Sequence, residues 1–174
     1  ATFQGVEFEL AAVVTESLVL TASWGYTDPT YDEYMYRDPR TNTLIDVSDE
    51  ARFTQMVRNN WHLSAEYTFA PLSFGELNAR VDYAQSSERY MFPLDRETPF
   101  NEEIHDPGQE NLSARISIAE MRVGDKGTWE VGVWGDNLTD QNNVGDGIDF
   151  GGLGFAGKYW LEPRRYGVDV KLHL

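Results

Sequence analysis

Apolar and polar residues alternate one for one along seven runs of this chain, the period of a β-strand with one apolar face. In Phe3 to Leu10, Val6, Phe8 and Leu10 oppose Gly5, Glu7 and Glu9. Leu18 to Thr27 sets Leu18, Leu20, Ala22, Trp24 and Tyr26 against Val19, Thr21, Ser23, Gly25 and Thr27. Further runs cover Trp61 to Phe69, Glu76 to Ala84, Asn111 to Met121, Thr128 to Leu138 and Arg165 to Leu174. The last places Tyr166, Val168, Val170, Leu172 and Leu174 on one side, and Arg165, Gly167, Asp169, Lys171 and His173 on the other. An apolar face of this kind packs on a second sheet in a soluble sandwich and meets lipid in a membrane barrel.

The connections separate these alternatives. Thr15 to Ser17, Ala70 to Gly75 and Arg122 to Gly127 are short; Asp28 to Asn60, Gln85 to Glu110 and Asp140 to Pro163 are long and polar. Pro93, Pro99 and Pro107-Gly108 rule out a continuous helix in the second long connection. Strict alternation of short turns and long loops is the habit of outer-membrane barrels. Trp24, Tyr26, Trp61, Phe69, Tyr83, Trp129 and Tyr166 stand near strand ends, where interfacial aromatic girdles belong. The expected fold is therefore all-β: an antiparallel transmembrane β-barrel segment of about seven strands, forming one unit over residues 1–174. Seven strands leave the two ends of the chain on opposite sides of a membrane, and single-chain bacterial barrels have even strand numbers. The segment is thus expected to be the C-terminal part of a larger barrel. A start at Ala1 rather than Met likewise points to a processed form or a fragment.

Three stretches add a resemblance. Trp129-Glu130-Val131-Gly132-Val133-Trp134-Gly135-Asp136-Asn137-Leu138-Thr139-Asp140 is similar to a stretch ending Asn-Leu-Thr-Asp in the barrels of TonB-dependent outer-membrane receptors. Phe150 to Gly157 and Pro163-Arg164-Arg165-Tyr166-Gly167-Val168 look like the last loop and last strand of that family. Leu174 departs from the family's usual terminal Phe or Trp. The resemblance implies a barrel of about 22 strands around an N-terminal plug, which this chain lacks. It also implies residence in the bacterial outer membrane, assembly by the barrel-assembly machinery, and coupling to the TonB complex through that plug. The ligand would be a large, scarce extracellular nutrient: a siderophore, a cobalamin or an oligosaccharide. The competing expectations are a small stand-alone barrel, structural, adhesive or an eight-stranded enzyme, and a soluble β-sandwich binding module.

Charge and composition narrow the chemistry. With 14 basic against 29 acidic side chains, a formal charge of −15 disfavours nucleic acid, which needs basic stripes. The chain has no cysteine, so thiolate metal sites and disulfides are excluded. His62, His105 and His173 are scattered and no serine sits in a nucleophile elbow, so neither catalysis nor a cofactor is expected. Asp49-Glu50 and Glu102-Glu103 read as solvated loop acids, and Asp28, Asp32 and Glu33 lack the ordered spacing of a calcium loop. Ligand contacts are expected on the long loops, from the amphipathic rings of Tyr31, Tyr34, Tyr36, Tyr90, Phe92, Phe150, Phe155 and Trp160. On the strands, Glu66, Arg80, Asp82, Arg115, Glu130, Asp136, Arg165 and Asp169 alternate with apolar residues and are expected to line a wet interior, bracing it by cross-strand pairs.

Overall fold

The computed structural model describes every residue except Val123, Asp125, Lys126 and Leu174. In chain order it contains β1 (Thr2–Thr15), β2 (Leu18–Thr30), β3 (Met35–Arg37), β4 (Leu44–Asp46), β5 (Asn59–Thr68) and β6 (Glu76–Ser86). There follow a single helical turn α1 (Asn101–Ile104), then β7 (Gln109–Arg122), β8 (Thr128–Asp136), β9 (Val144–Phe150), β10 (Phe155–Trp160) and β11 (Arg165–His173). Seven strands form one antiparallel sheet in the order β1-β2-β5-β6-β7-β8-β11, each long strand paired with its predecessor. The sheet does not close: β1 and β11 are its two edges.

All seven alternating runs lie in this sheet, and the register carries their faces across it. Leu10 pairs with Ala22 and Ala22 with Leu63; Leu63 pairs with Tyr83 and Tyr83 with Leu112. Nearer the turns, Ile116 pairs with Val133 and Val133 with Val168. A one-residue slip in any strand would move its apolar residues to the other face, so the apolar face is continuous only because every register agrees. Leu174, assigned to that face from its alternation, lies outside the described residues.

Local chemistry sets the short turns. Thr15 Oγ1 accepts hydrogen bonds from Ser17 N at 3.2 Å and Leu18 N at 3.0 Å, closing the β1–β2 turn. Leu72 N donates to Gly75 O at 2.9 Å in the β5–β6 turn. Val123, Asp125 and Lys126, between β7 and β8 in the chain, lie outside the described residues. At the opposite end, Asn137 with φ 50° ends β8 earlier than the alternation to Leu138 suggests. Its side chain is buried; Nδ2 donates to Gln141 O at 2.9 Å and Oδ1 accepts from Gln141 N at 2.8 Å. Asn tolerates this left-handed conformation because its side chain can bond the backbone locally.

The long connections hold more regular structure than their lack of periodicity indicates. The first contains the β3–β4 hairpin, the second α1 between Pro99 and Pro107, and the third the β9–β10 hairpin. They also hold the core. Among the described residues the buried hydrophobic ones are Val47, Met91, Leu94, Ile104 and Val144, every one from a long connection or its hairpin. In the sheet, Val6, Phe8, Leu10, Leu63, Val81, Ile116, Val133, Val168, Val170 and Leu172 are all exposed.

Candidate functional site

The three long loops pack into one cap. Met91, Ile104 and Val144 form its apolar centre, with Phe92 and Ala156 against them. Arg89 ties all three loops together. Its Nη1 donates to Gln55 Oε1 at 3.1 Å in the first loop, and its Nε donates to Asp106 Oδ2 at 3.0 Å in the second. Its Nη2 donates to the carbonyls of Val144 at 3.1 Å and Gly145 at 2.8 Å in the third. Asp106 is fully buried, and its carboxylate also accepts from Gly108 N at 3.0 Å and Gln109 Nε2 at 2.8 Å. A buried charge persists only when paired and hydrogen-bonded in this way.

A second lock joins the first and second loops. Arg52 Nη2 donates to Asp95 Oδ2 at 2.8 Å and Glu102 Oε1 at 2.6 Å. Its guanidinium lies 3.8 Å from the centre of the Tyr90 ring, against which His105 stacks at 5.1 Å. The Arg52 hydrogen bond holds the Glu102 carboxyl below its ordinary value, and burial raises the Tyr90 phenol. Backbone N–H groups of Tyr34 and Ser48 likewise lower Asp46. Arg96 pairs with Glu50. Two of the four loop acids read as solvated, Glu50 and Glu102, are therefore inter-loop clasps.

The candidate ligand aromatics fall into separate groups. Tyr31 stacks on Phe53 at 3.9 Å with Tyr34 edge-on at 5.0 Å, and Tyr36 lies under Arg96 at 5.4 Å. Tyr90 and Phe92 are engaged in holding the cap together. Phe150 and Phe155 meet at 4.9 Å on the β9–β10 hairpin, where Lys158 lies over Trp160 at 5.6 Å. Tyr31 and Tyr90, with Phe53, Arg52, Arg58 and Arg89, line an open cleft of about 800 Å³ between the first two loops. Asp28 is engaged by Arg58 at 2.9 Å; among the described residues no cluster of three or more His, Asp or Glu could hold a metal ion.

The strand charges meet across the polar face. Arg80 binds Asp82 at 2.7 Å and Glu66 at 3.4 Å. Arg115 on β7 binds Glu130 on β8 at 2.7 Å and reaches over β8 to Asp169 on β11, with one contact at 2.8 Å. Gly132 makes that reach possible, since a Cβ there would collide with the guanidinium. Lys171 adds a contact to Glu130 at 3.4 Å, and Arg165 binds Asp136 at 2.8 Å. All eight residues read as an interior lining thus lie on one face and pair there.

Sequence reading missed Arg52, Arg89, Asp106 and Asn101, the cap's polar ties. Asn101 Nδ2 donates to Phe92 O at 3.1 Å and Asp95 Oδ1 at 2.8 Å. These partners are separated by up to 56 residues, and no period relates them. Comparisons with protein-family models, curated proteins and solved structures return no match.

Proposed function

We propose that this chain is the C-terminal part of the transmembrane β-barrel of a TonB-dependent outer-membrane receptor, a non-enzymatic transporter for a large scarce nutrient. The observation carrying this reading is the inverted placement of apolar side chains. Among the described residues, the aliphatic side chains of the sheet's apolar face stand exposed, while the loops at one end bury a core of their own. A seven-stranded apolar face far exceeds the patch size that water-soluble monomers expose, and lipid is the solvent that it fits.

Three features support the same reading. The strands of the sheet span 9 to 14 residues, enough to cross a hydrocarbon core when tilted. On the apolar face, aliphatic residues are flanked by Trp24, Trp61 and Tyr166 toward the loops and by Tyr67 and Trp129 toward the short turns, the placement of interfacial girdles. Trp24 and Trp61 stack at 5.4 Å and Tyr67 meets Phe69 at 4.7 Å. Edges β1 and β11 would leave backbone groups unpaired in lipid at several kcal/mol each, so further strands of the same barrel complete them. In this reading the barrel-assembly machinery inserts the protein, the polar face lines the lumen, and the loop cap meets the siderophore, cobalamin or oligosaccharide outside. The TonB complex acts through a plug supplied by another part of the protein.

Single cysteines in the full-length protein, reconstituted in lipid vesicles, test the reading. Val133→Cys and Val168→Cys are expected to resist a charged maleimide and, once dye-labelled, to be quenched by brominated acyl chains. Ser117→Cys on the polar face is expected to escape that quenching. Labelling of the Val133→Cys variant by the charged reagent at the rate of an exposed loop cysteine would overturn the membrane assignment.

A further inference from the structure

Trp134 breaks the division of the sheet into faces: it is a large aromatic side chain on the polar side of β8. It stands in register with Arg115 on β7 and Gly167 on β11. The indole covers Gly167, because the three atoms nearest to a Cβ built there all belong to the Trp134 ring. The residue is nevertheless only partly buried, so the indole that lies on Gly167 keeps some surface free. Toward the loops, the next pair along is Asp136 with Arg165 at 2.8 Å, and Asn111 Nδ2 donates to Asp136 Oδ1 at 2.9 Å. Toward the short turns, Arg115 passes over Gly132 to Asp169. Asn111, Asp136 and Arg165 also line a groove of about 580 Å³ with Asn60, His62 and Glu162; Trp134 stands outside it, two residues further along β8 toward the short turns.

The chemistry of this surface selects a neutral ligand rich in hydroxyl groups. Acids and bases beside the ring are already paired, so they offer fixed donors and acceptors without an uncompensated charge. An ion would have to break a pair to bind. A sugar hydroxyl can donate to a carboxylate and accept from a guanidinium while the pair stays intact. An indole face supplies what these polar groups lack, an apolar plane against which the C–H side of a pyranose ring can lie. We propose that Trp134, with the Asp136–Arg165 pair and Asn111 beside it, forms a subsite for a pyranose ring of a neutral oligosaccharide. The assignment rests on the proposed transport reading, and within it selects the saccharide class.

The test titrates the full-length protein in detergent with maltopentaose, cellopentaose and chitopentaose by calorimetry. At least one is expected to bind saturably. Trp134→Leu should weaken that binding about tenfold or more, whereas Trp134→Phe, which keeps a ring, should stay within about threefold. Bound sugar should also slow hydroxyl-radical oxidation of Trp134, a readout that needs no variant to fold. Failure of all three sugars to bind, unchanged binding by Trp134→Leu, or a Trp134→Phe variant as weak as the leucine one would overturn the subsite. So would a Trp134 already protected in the sugar-free protein, since another segment would then cover the ring. Lipid insertion is read separately by the cysteine variants. A protein that inserts without binding sugar removes the subsite alone, and one that binds sugar without inserting removes the transport reading alone.

Discussion

Ile104 and Ile116 are the same side chain in two environments. Ile104, on α1 in the loop cap, is 2 % exposed and touches a core; Ile116, on β7 in the sheet, is 52 % exposed. The cap obeys the rule of water-soluble proteins, in which apolar groups are gathered inside and charges outside or paired. The sheet reverses it, with its apolar face exposed and its charges paired along the opposite face. The cap is held by packing and long-range polar ties, whereas the sheet is held by its backbone ladder and register.

The largest effect should separate the two isoleucines. Ile104→Ala should cost the cap about 2–5 kcal/mol, the range for truncating a buried side chain in a packed core. In the same detergent, Ile116→Ala should cost about 1 kcal/mol or less, because only cross-strand neighbours are lost. Hydrogen exchange of loop and strand amides reads both. Equal costs would erase the distinction between cap and sheet.

A smaller effect tests the polar face. Gly132→Val should displace the Arg115 guanidinium from Asp169 and destabilise the sheet by about 1 kcal/mol or less, because the atoms it displaces are the end of a flexible side chain in a partly exposed ion pair. The variant should raise exchange in β7, β8 and β11 while leaving the cap protected. A neutral result would mean that Arg115 can reach Asp169 by another path.

The smallest effect is expected from acid. Glu102 and Asp46 have carboxyls held below their ordinary values, by the Arg52 hydrogen bond and by backbone N–H groups respectively. Groups of this kind contribute stability that is fully present above the unfolded carboxylate range, near pH 4, and lost as pH falls through the lower folded value. The cap should therefore be protease-resistant at neutral pH and loosen on acidification below about pH 4. Glu102→Gln should reduce that acid sensitivity. Loosening on raising the pH instead would contradict the clasp assigned to Arg52 and Glu102.

The sheet was legible because its information is local. Period-2 alternation identifies each strand and its faces within a few residues, and short turns leave almost no freedom in which strands pair. Strand ends moved in both directions: β8 stops early at Asn137, whereas β1 runs on to Thr15, beyond the alternation that ends at Leu10, and β2 to Thr30. The cap was illegible for the opposite reason. Arg89 finds Gln55, Asp106 and Val144 at sequence separations from 17 to 55. Glu50 and Glu102, indistinguishable in sequence from solvated acids, became clasps only when another loop delivered an arginine. Tyr90 and Phe92 were recognisable as amphipathic rings, but their packing partners come from elsewhere in the chain.

The sequence by itself determined seven strands, two chemically opposite faces, and long loops at one end with short turns at the other. All of these follow from residue alternation and turn chemistry. Tertiary structure decided that the registers join into one continuous apolar face, that the sheet stays open at β1 and β11, and that the buried core lies in the loops. It also decided that Trp134 lies over Gly167 between paired charges. Each of these depends on which distant segments meet, and the alternation within a strand does not encode its distant partners.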